Sequence, residues 1–369
     1  MSTKHSHRRR ITRVVALTVA LGTIAAACGS DDDDTTADAP TTDAPADDAT
    51  TTEVPATDAP EASGTVTVYI GRQYGIEPVF ESFTEATGIE VRFTSGGDPE
   101  LRERLIAEGE NTPADLVLTA DAANIELSAQ AGVLAAIDSE ALTSAIPEDL
   151  RSEDNLWFSL SRRARVVIHS TERVTEPPLT YAAVGDPQWQ GRLCLRPSTH
   201  PYTQSLVASI IAAEGEERAT EIVSSWVAND PLYINSDTDI YKAVAAGECD
   251  IALANTYYLG RLQMEDPDFP VAIAWPEQDG RGAHINVSAG AVTANAPNPE
   301  AARVLLEWLA TDGQQEFADA NSEYPADPTV PISELVAAWG EFIADTAVVR
   351  QLGALNPAAV DVLSAAGYE

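Results

Sequence analysis

The run Trp157-Phe-Ser-Leu-Ser-Arg-Arg-Ala-Arg-Val-Val-Ile-His169 is extended and has no helical periodicity. A second long run of the same character, His284-Ile-Asn-Val-Ser-Ala-Gly-Ala-Val292, lies further along the chain. We interpret the first run as a strand that crosses from one lobe of the protein to another, and the second as the return crossing. Two lobes joined by two extended crossings leave a cleft between them, which is where we expect a ligand to bind.

Strands and helices alternate on both sides of the first crossing. The predicted strands, three on each side, cover residues 65–70, 89–93, 115–119, 191–196, 231–235 and 250–253. This alternation predicts an α/β fold with a largely parallel sheet. The chain length of 369 residues exceeds the usual size of a single hydrophobic core, which agrees with two lobes.

The lobe boundaries follow from the two crossings. Lobe 1 is predicted to comprise residues 64–168 together with about 284–312, and lobe 2 to comprise residues 169–283. Asn298 is predicted to cap a helix whose first residue is a proline. The remaining chain, about 313–369, is predicted to form C-terminal helices.

Residues 1–27 are typical of a secretory signal, because a basic segment precedes a short apolar run that ends in three alanines. A transmembrane helix needs about 20 apolar residues, which is more than this run contains. Cys28, directly after the alanines, resembles the lipidated cysteine of bacterial lipoproteins; the alternative is an ordinary secretory signal with an incidental cysteine. Residues 28–63 contain almost only Asp, Thr, Ala and Pro, which predicts an acidic linker between the lipid anchor and the folded part.

The formal net charge of the whole chain is −36. The signal segment is basic, and residues 29–63 hold eleven acidic residues and no basic ones, which leaves about −30 on the folded part. Because no basic stripe is present, the sequence argues against nucleic acid as a partner. The charge permits a cationic ligand, although the solvated acidic surface of a secreted protein is the better explanation of the charge itself.

Ala254-Asn-Thr-Tyr-Tyr-Leu-Gly-Arg261 follows a short buried strand. One face of a strand cannot bury two adjacent tyrosines, so a turn here directs both phenols, Tyr257 and Tyr258, into the same space. Tyr74 and Tyr202 follow two other predicted strands. Ligands of open α/β sheets bind beyond the carboxyl ends of the strands, where all four tyrosines stand. We therefore predict that the four form a metal site, although packing is the ordinary role of any single tyrosine.

The chemistry of these residues favours iron. Phenolate oxygens are hard anionic ligands, which suit a hard cation such as Fe³⁺. A free phenol has a pKa of about 10, but a bound multivalent cation removes its proton. Four phenolates on Fe³⁺ carry a net charge of −1, which requires positive charge nearby. The candidate arginines for that charge are Arg72, Arg163, Arg165 and Arg261.

Two cysteines remain in the predicted folded part. Cys194 and Cys249 each lie eight residues before a predicted tyrosine ligand, Tyr202 and Tyr257 respectively. If their strands are parallel neighbours, the two cysteines lie at similar depth, and a secreted protein retains a disulfide. Two free buried cysteines are the alternative.

Other signals point away from catalysis. The sequence contains no Gly-x-Ser-x-Gly, no His-Glu-x-x-His, no phosphate-binding loop and no Cys-x-x-Cys. We interpret His200 as a loop histidine and His169 and His284 as structural residues. The protein is therefore predicted not to be an enzyme.

The chain resembles the iron-binding proteins of bacterial ABC importers, in particular their tyrosine-rich, cyanobacterial-type branch. The resemblance covers nearly all of residues 65–345 and is densest in 157–166, 202–209, 254–261, 280–288 and 323–325. It implies a two-lobed periplasmic-binding-protein fold that closes on iron and delivers it to a membrane permease with its ATPase. The iron ligands of the family correspond to Tyr74, Tyr202, Tyr257 and Tyr258.

One position departs from the family. A histidine often precedes the first-lobe tyrosine, whereas this chain has Gln73. An amide is a poor iron ligand, so we predict four tyrosine ligands, with water or a synergistic anion in any fifth place. The resemblance also implies that Arg163 lies near the metal or the anion, and we place Gln73 and Arg261 around the same site.

These observations predict a monomeric, lipid-anchored, extracytoplasmic receptor for iron, with Fe³⁺ favoured. The alternative is a receptor of the same fold for a small organic or oxyanionic ligand, such as a polyamine, thiamine or a phosphonate. Pockets for such ligands use aromatic stacking or backbone N–H groups and do not need four convergent phenols. A secreted hydrolase is a third possibility, but no nucleophile and base stand in a recognisable pattern.

Overall fold

The computed structural model describes residues 64–72 and 75–369. The predicted signal, Cys28 and the acidic linker lie outside these residues, as do Gln73 and Tyr74. Over the described ranges, no helix combines the length and the hydropathy that crossing a membrane requires.

The strands of the described residues are short, apart from two long ones. They are β1 Thr65–Ile70, β2 Glu90–Ser95, β3 Leu116–Thr119, β4 Phe158–Ser170, β5 Leu193–Leu195, β6 Leu232–Tyr233, β7 Ile251–Asn255, β8 Val271–Ala274, β9 Ala283–Val292, β10 Tyr324–Pro325 and β11 Ala344–Asp345.

The α-helices of the same residues connect these strands and complete the C-terminal segment. They are α1 Ile76–Thr87, α2 Asp98–Glu108, α3 Ala122–Gln130, α4 Glu140–Ala145, α5 Pro201–Glu214, α6 Glu216–Ala228, α7 Asp237–Ala246, α8 Tyr257–Glu265, α9 Pro299–Ala310, α10 Gln314–Asp319, α11 Glu334–Ala337 and α12 Leu352–Ala365. Short 3₁₀ turns cover Gly109–Asn111, Glu148–Leu150, Ala182–Gly185, Pro187–Trp189 and Val349–Gln351.

Strands β4 and β9 confirm the two predicted crossings. The spatial order of the main strands is β2-β1-β3-β9-β4-β7-β5-β6. Strand β4 pairs antiparallel with β9 as far as Ala164, and from Arg165 onward it pairs antiparallel with β7. One strand therefore belongs to the sheets of both lobes, and its change of partner falls between Arg163 and Arg165.

The sheet of each lobe is parallel away from the crossings, as predicted. Strand β1 pairs in parallel with β2 and β3, and β5 pairs in parallel with β6 and β7. Parallel neighbours present their carboxyl ends at one edge, which places the segments after β1, β5 and β7 around the cleft. The α/β fold class is confirmed.

Local sequence signals explain several helix ends. The side chain of Asp121 accepts a hydrogen bond from the Asn124 amide at 3.0 Å and thereby caps α3. Asn298 precedes α9, but its side chain makes no capping bond. Its backbone amide instead donates to Asp115 Oδ1 at 2.5 Å, which anchors the start of α9 to β3.

The segment after residue 313 contains helices α10, α11 and α12 and, in addition, two short strands that the sequence did not predict. Strand β10 pairs with β4 and β11 pairs with β9. The sequence could not predict these strands, because two residues carry no periodicity. The predicted strand 231–235 is also shorter than expected, since β6 has only two residues. Helix α12 packs against both α5 and α3, and so contacts both lobes.

Cys194 and Cys249 form a disulfide in the structure, with a Cα–Cα distance of 5.8 Å. Cys194 lies on β5, and Cys249 precedes β7, the parallel neighbour of β5. The bond closes a sequence separation of 55 residues, for which loop-closure entropy gives a stabilisation of about 4 kcal/mol.

Candidate metal site

The tyrosine pair stands at the start of a helix. Strand β7 is buried along its whole length and ends at Asn255, and α8 begins at Tyr257. The turn between them directs both rings to one side, where Tyr257 and Tyr258 stack with their centroids 4.2 Å apart. Tyr257 is buried and Tyr258 is half-buried.

Tyr202 comes to the same place from the next strand. It lies in the first turn of α5, where the His200 side chain accepts a hydrogen bond from the Tyr202 amide at 3.2 Å. The phenol oxygens of Tyr202 and Tyr257 lie 3.1 Å apart and share a hydrogen bond. Two residues separated by 55 positions in the chain therefore present their oxygens to one point.

Tyr74 and Gln73 lie outside the described residues, but both of their neighbours are described. Gly75 has a φ of 63°, and a Cβ at this position would lie 2.5 Å from the Ala320 carbonyl oxygen. Only glycine fits this left-handed turn against the C-terminal segment. On the other side, Arg72 is buried and enters the space occupied by the second-lobe tyrosines.

Both sides enclose a cavity of about 70 Å³ between the lobes. Its lining residues come from the loop after β1, from β4 and β9, from the two tyrosine-bearing helices and from the segment before β10. They are Gly71, Arg72, Ala120, Arg163, Tyr202, Tyr257, Ser288, Asn321 and Glu323. Tyr258 is not among them; it lies behind Tyr257, against the stacked ring.

Two buried guanidinium groups face this cavity, and each has N–H groups without a hydrogen-bond partner among the described residues. Arg163 is 1% exposed and donates to Ser288 Oγ at 3.3 Å, while its Nε and Nη2 have no hydrogen-bond partner among the described residues. Arg72 donates to the Phe317 carbonyl, and its Nε and Nη1 likewise lack a partner in the described part of the chain. Buried donors without partners are costly, which indicates that these arginines are arranged for a ligand.

Glu323 is the one carboxylate that the described residues place on the cavity wall. Its carboxylate accepts hydrogen bonds from Ser161 and from Asn321 and lies 3.9 Å from Arg72 Nη2. Sequence reasoning quoted Glu323 within the family resemblance but gave it no role. Its only sequence signal is an acidic residue directly before the Tyr-Pro of a strand, which is too short to distinguish it from other acids.

The pKa shifts divide the site into neutral phenols and charged guanidinium groups. Burial, and then the neighbouring tyrosines, raise the pKa of Tyr257 well above its usual value, and the pKa of Tyr202 is raised for the same reasons. Burial lowers the pKa of Arg72 to about 10. Burial alone would also lower the pKa of Arg163, but the charge of Glu323, and the charges that Tyr202 and Tyr257 carry once they are ionised, raise it overall.

Two other predicted arginines take different positions. The Arg261 guanidinium lies over the rings of Tyr257 and Tyr258, at 5.1 and 5.3 Å from their centroids, and donates to Asn321. Arg165 does not line the cavity; it donates to Asp237 at 3.0 Å and to the Leu253 carbonyl at 2.9 Å. Its charge is therefore used to hold lobe 2 together behind the tyrosines.

The histidines near the site are structural, as interpreted from the sequence. Burial, followed by the charge of Arg196, lowers the pKa of His200 to about 3, so this ring stays neutral. His284 is buried, and its Nε2 lies 3.0 Å from Ser205 Oγ. Within the described ranges, no cluster of three His, Cys, Asp or Glu residues is suited to a metal. The described residues thus offer a hard cation the phenol oxygens of Tyr202 and Tyr257, together with the Glu323 carboxylate on the same cavity wall.

Comparison with known proteins agrees with this arrangement. Residues 79–344 match the family described as bacterial extracellular solute-binding protein. Iron uptake protein A1 of Synechocystis is 39% identical over 316 residues, which cover 82% of this chain and 87% of that protein.

Solved structures show the same likeness. The Trichodesmium protein IdiA, or FutA, in complex with iron and citrate superposes with a TM-score of 0.79 at 37% identity, covering 83% of this chain and 100% of that one. A ferric binding protein from Campylobacter jejuni superposes with a TM-score of 0.76 at 31% identity, covering 82% of this chain and 100% of that one. Both comparisons extend over more than four fifths of this chain.

Proposed function

We propose that this chain, which belongs to the bacterial extracellular solute-binding protein family, captures Fe³⁺ between its two lobes and delivers it to the permease of an ABC importer. The observation that carries the proposal is the 3.1 Å separation of the Tyr202 and Tyr257 phenol oxygens at a cavity between the lobes. The high identity to iron uptake and ferric-binding proteins supports iron as the cargo.

The ligand set is proposed as Tyr202, Tyr257 and Tyr258 from lobe 2 and Tyr74 from lobe 1. Three of these phenols belong to one contiguous cluster, in which Tyr257 contacts the other two. Tyr74 follows β1 in the sequence, two residues after the buried Arg72 and directly before Gly75, whose φ is 63°. The proposed ligand set contains no histidine, so the chain is proposed to bind its cargo through phenolates and not to carry out catalysis.

A small anion is proposed to bind together with the iron. Arg72 and Arg163 have N–H groups that find no hydrogen-bond partner in the described part of the chain, and these groups suit an oxyanion such as carbonate, or one carboxylate of citrate. The Trichodesmium relative was solved with iron and citrate, which supports this part of the proposal. An anion would also accept hydrogen bonds from these buried N–H groups, which a metal cation cannot do.

The cavity volume argues against the organic alternative. A space of about 70 Å³ holds a metal ion with a small anion, whereas pockets for drug-sized organic ligands are about 300 Å³ or larger. A polyamine or thiamine would require the lobes to remain apart and would leave the paired phenols without a role.

Titration of the metal-free protein with citrate-buffered Fe³⁺ tests the function. We expect a visible phenolate-to-iron charge-transfer band in the parent, and we expect Tyr257→Phe to lose most of its intensity and about 100-fold or more in affinity. Tyr233→Phe is the matched control, because Tyr233 packs its ring against Tyr368, away from the cavity. A parent without the band, or an undiminished band in Tyr257→Phe, would exclude the tyrosine site.

The membrane attachment is proposed from Cys28, which lies outside the described residues. Lipidation there, followed by the acidic linker, would hold the receptor at the outer face of the membrane as a monomer beside its permease and ATPase. Cys28→Ser should release the protein from the membrane fraction into the medium or periplasm, and its mass should lack the lipid. Equal retention of the Ser variant would contradict the anchor without touching the iron site.

A further inference from the structure

We propose that Asn321 is a positioning residue that joins the two lobes beside the proposed metal site. Its side chain accepts a hydrogen bond from Arg261 of lobe 2 and donates one to Glu323 on the lobe 1 side. We call this chain of three side chains the inter-lobe bridge. Its role rests on the proposed iron function, because it would hold the lobes together around the bound cargo. Asn321 was not among the residues that the sequence selected.

The segment that carries Asn321 and Glu323 is attached to lobe 1. Arg72, in the loop after β1, donates a hydrogen bond to the Phe317 carbonyl. Ser161, on the part of β4 that pairs with β9, donates to the Glu323 carboxylate, which is 2% exposed. Strand β10 then pairs with the same part of β4. These contacts fix the segment, and the Glu323 end of the bridge, to lobe 1.

The other end of the bridge lies on helix α8, which follows β7 of lobe 2 and begins with the tyrosine pair. Arg261 stands about one turn after Tyr257 on this helix, and its guanidinium lies over both tyrosine rings. A Cβ on Gly260 would lie 2.5 Å from Ser322 Cβ, so α8 approaches the segment as closely as a glycine permits. Movement of lobe 2 away from lobe 1 would therefore separate Arg261 from Asn321.

The position between Arg261 and Glu323 suits an amide. A guanidinium can only donate hydrogen bonds and an ionised carboxylate can only accept them, so a group that joins the two must do both. The Asn321 oxygen accepts from Arg261, and its NH₂ group donates to Glu323 Oε1 at 2.8 Å. Asn321 is 5% exposed, and an apolar side chain in its place would take this partner from both charged groups.

The same segment also contacts the loop that carries the proposed lobe 1 ligand. The Ala320 carbonyl oxygen is the atom that a Cβ on Gly75 would meet, and Gly75 directly follows Tyr74. The segment therefore touches both the residue after the lobe 1 tyrosine and the helix of the lobe 2 pair. Asn321 itself lines the cavity between them. A change at Asn321 should thus alter how firmly the lobes stay closed on iron, without altering the set of phenols.

The test measures how fast bound iron leaves the protein. Asn321→Leu and Asn321→Ala remove both hydrogen bonds of the amide, and we expect each iron-loaded variant to release Fe³⁺ to excess chelator about 10-fold faster than the parent. The charge-transfer band should keep its parental wavelength. Asn229→Ala is the matched control, since Asn229 is 3% exposed and donates to the Val184 and Asp186 carbonyls, all within lobe 2.

A double-mutant cycle tests whether Asn321 acts through Arg261. In an Arg261→Met background the bridge is already absent, so adding Asn321→Leu should change the release rate by about 2-fold or less. A full tenfold acceleration in that background would overturn the assignment, because Asn321 would then act independently of Arg261. A shifted band in the folded Asn321 variants would also overturn it, because the residue would then act on the ligands themselves.

The iron function and the bridge can fail separately. Circular dichroism and thermal unfolding of each metal-free variant establish that it is folded, and one folded Asn321 variant is sufficient. A parent that shows the band, together with a parental release rate in that variant, would reject the bridge alone. The same acceleration in Asn229→Ala would reject it as well, since general destabilisation would then explain the effect. A parent without the band would reject the iron function and the bridge with it.

Discussion

Lobe 2 brings the donors Tyr202 and Tyr257 to the cavity, whereas lobe 1 and the crossing strand bring the cations Arg72 and Arg163. The donors are neutral in the metal-free protein, because burial raises the pKa of both phenols. The cations are already charged and partly unpaired. The difference teaches that neither wall could hold iron alone. The tyrosine wall would have to lose protons on binding, and the arginine wall would need negatively charged groups beside it.

Glu323 reduces the net positive charge of the arginine wall while no iron is bound. It lies beside Arg72 and raises the pKa of Arg163, so it supplies one negative charge to the cationic wall. Phenolates and an anion would add further negative charge when iron binds, and the spare N–H groups of the arginines are placed to receive it. The cationic wall is therefore arranged for the loaded state, at some cost to the empty one.

The largest expected effect comes from removing one cation. Arg163→Met should lower the free energy of unfolding of the metal-free protein by about 3 kcal/mol, because it would leave the buried carboxylates of Glu323 and Asp121 without the cation that offsets their charge. Arg72→Met should lower it by about 1 kcal/mol or less, because burial already lowers the pKa of Arg72 and makes its charge costly. Urea unfolding of both variants measures the contrast, and equal losses would mean that the two cations are equivalent.

The next effect concerns the donors and pH. The raised pKa values of Tyr202 and Tyr257 keep both phenols protonated near neutral pH, so iron must displace their protons and affinity must fall as the pH falls. Each displaced proton contributes about tenfold per pH unit, so we expect at least about 100-fold per unit for these two residues. Competition with a chelator of known pH dependence measures the slope.

The variant Tyr257→Phe sharpens that measurement. It removes one titrating donor, so the slope of log affinity against pH should fall by about one. Tyr233→Phe should leave the slope unchanged. A slope that is flat in the parent would show that the phenols are not deprotonated on binding.

The smallest effect concerns closure. If Tyr74 completes the site from lobe 1, Tyr74→Phe should bind iron more weakly and should show less iron-induced compaction by small-angle scattering than the parent. The lobe 2 variant Tyr258→Phe is the comparison, since it weakens binding without removing the contact between lobes. Equal compaction in Tyr74→Phe and in the parent would contradict the role of Tyr74 in closure.

Much of the architecture was predictable because it depends on local pattern. The two long extended runs predicted β4 and β9, and the strand–helix alternation predicted a parallel sheet in each lobe. The tyrosines of lobe 2 were predictable because parallel strands present their carboxyl ends at one edge. The short strands β10 and β11 were not, since two residues carry no period and pair only because distant strands offer them an edge.

The partners of the charged residues were harder to predict. Arg165 was selected for the metal site together with Arg163, yet side chains two apart on β4 meet different surroundings where the strand changes partner. Arg196 and Asp237 were not selected, because an arginine after one strand and an aspartate at the start of a helix are common and are 41 positions apart. Their ion pair exists only once the ends of two strands lie side by side.

The sequence by itself determined the crossings and the positions of the lobe 2 tyrosines beyond the ends of strands, because these follow from periodicity along the chain. Only the tertiary structure decided which phenol oxygens meet, which arginines face the cavity and which arginine pairs with Asp237 instead. Those choices depend on electrostatic contacts between residues far apart in sequence, and such contacts form only after the backbone has placed them within a few ångströms of each other.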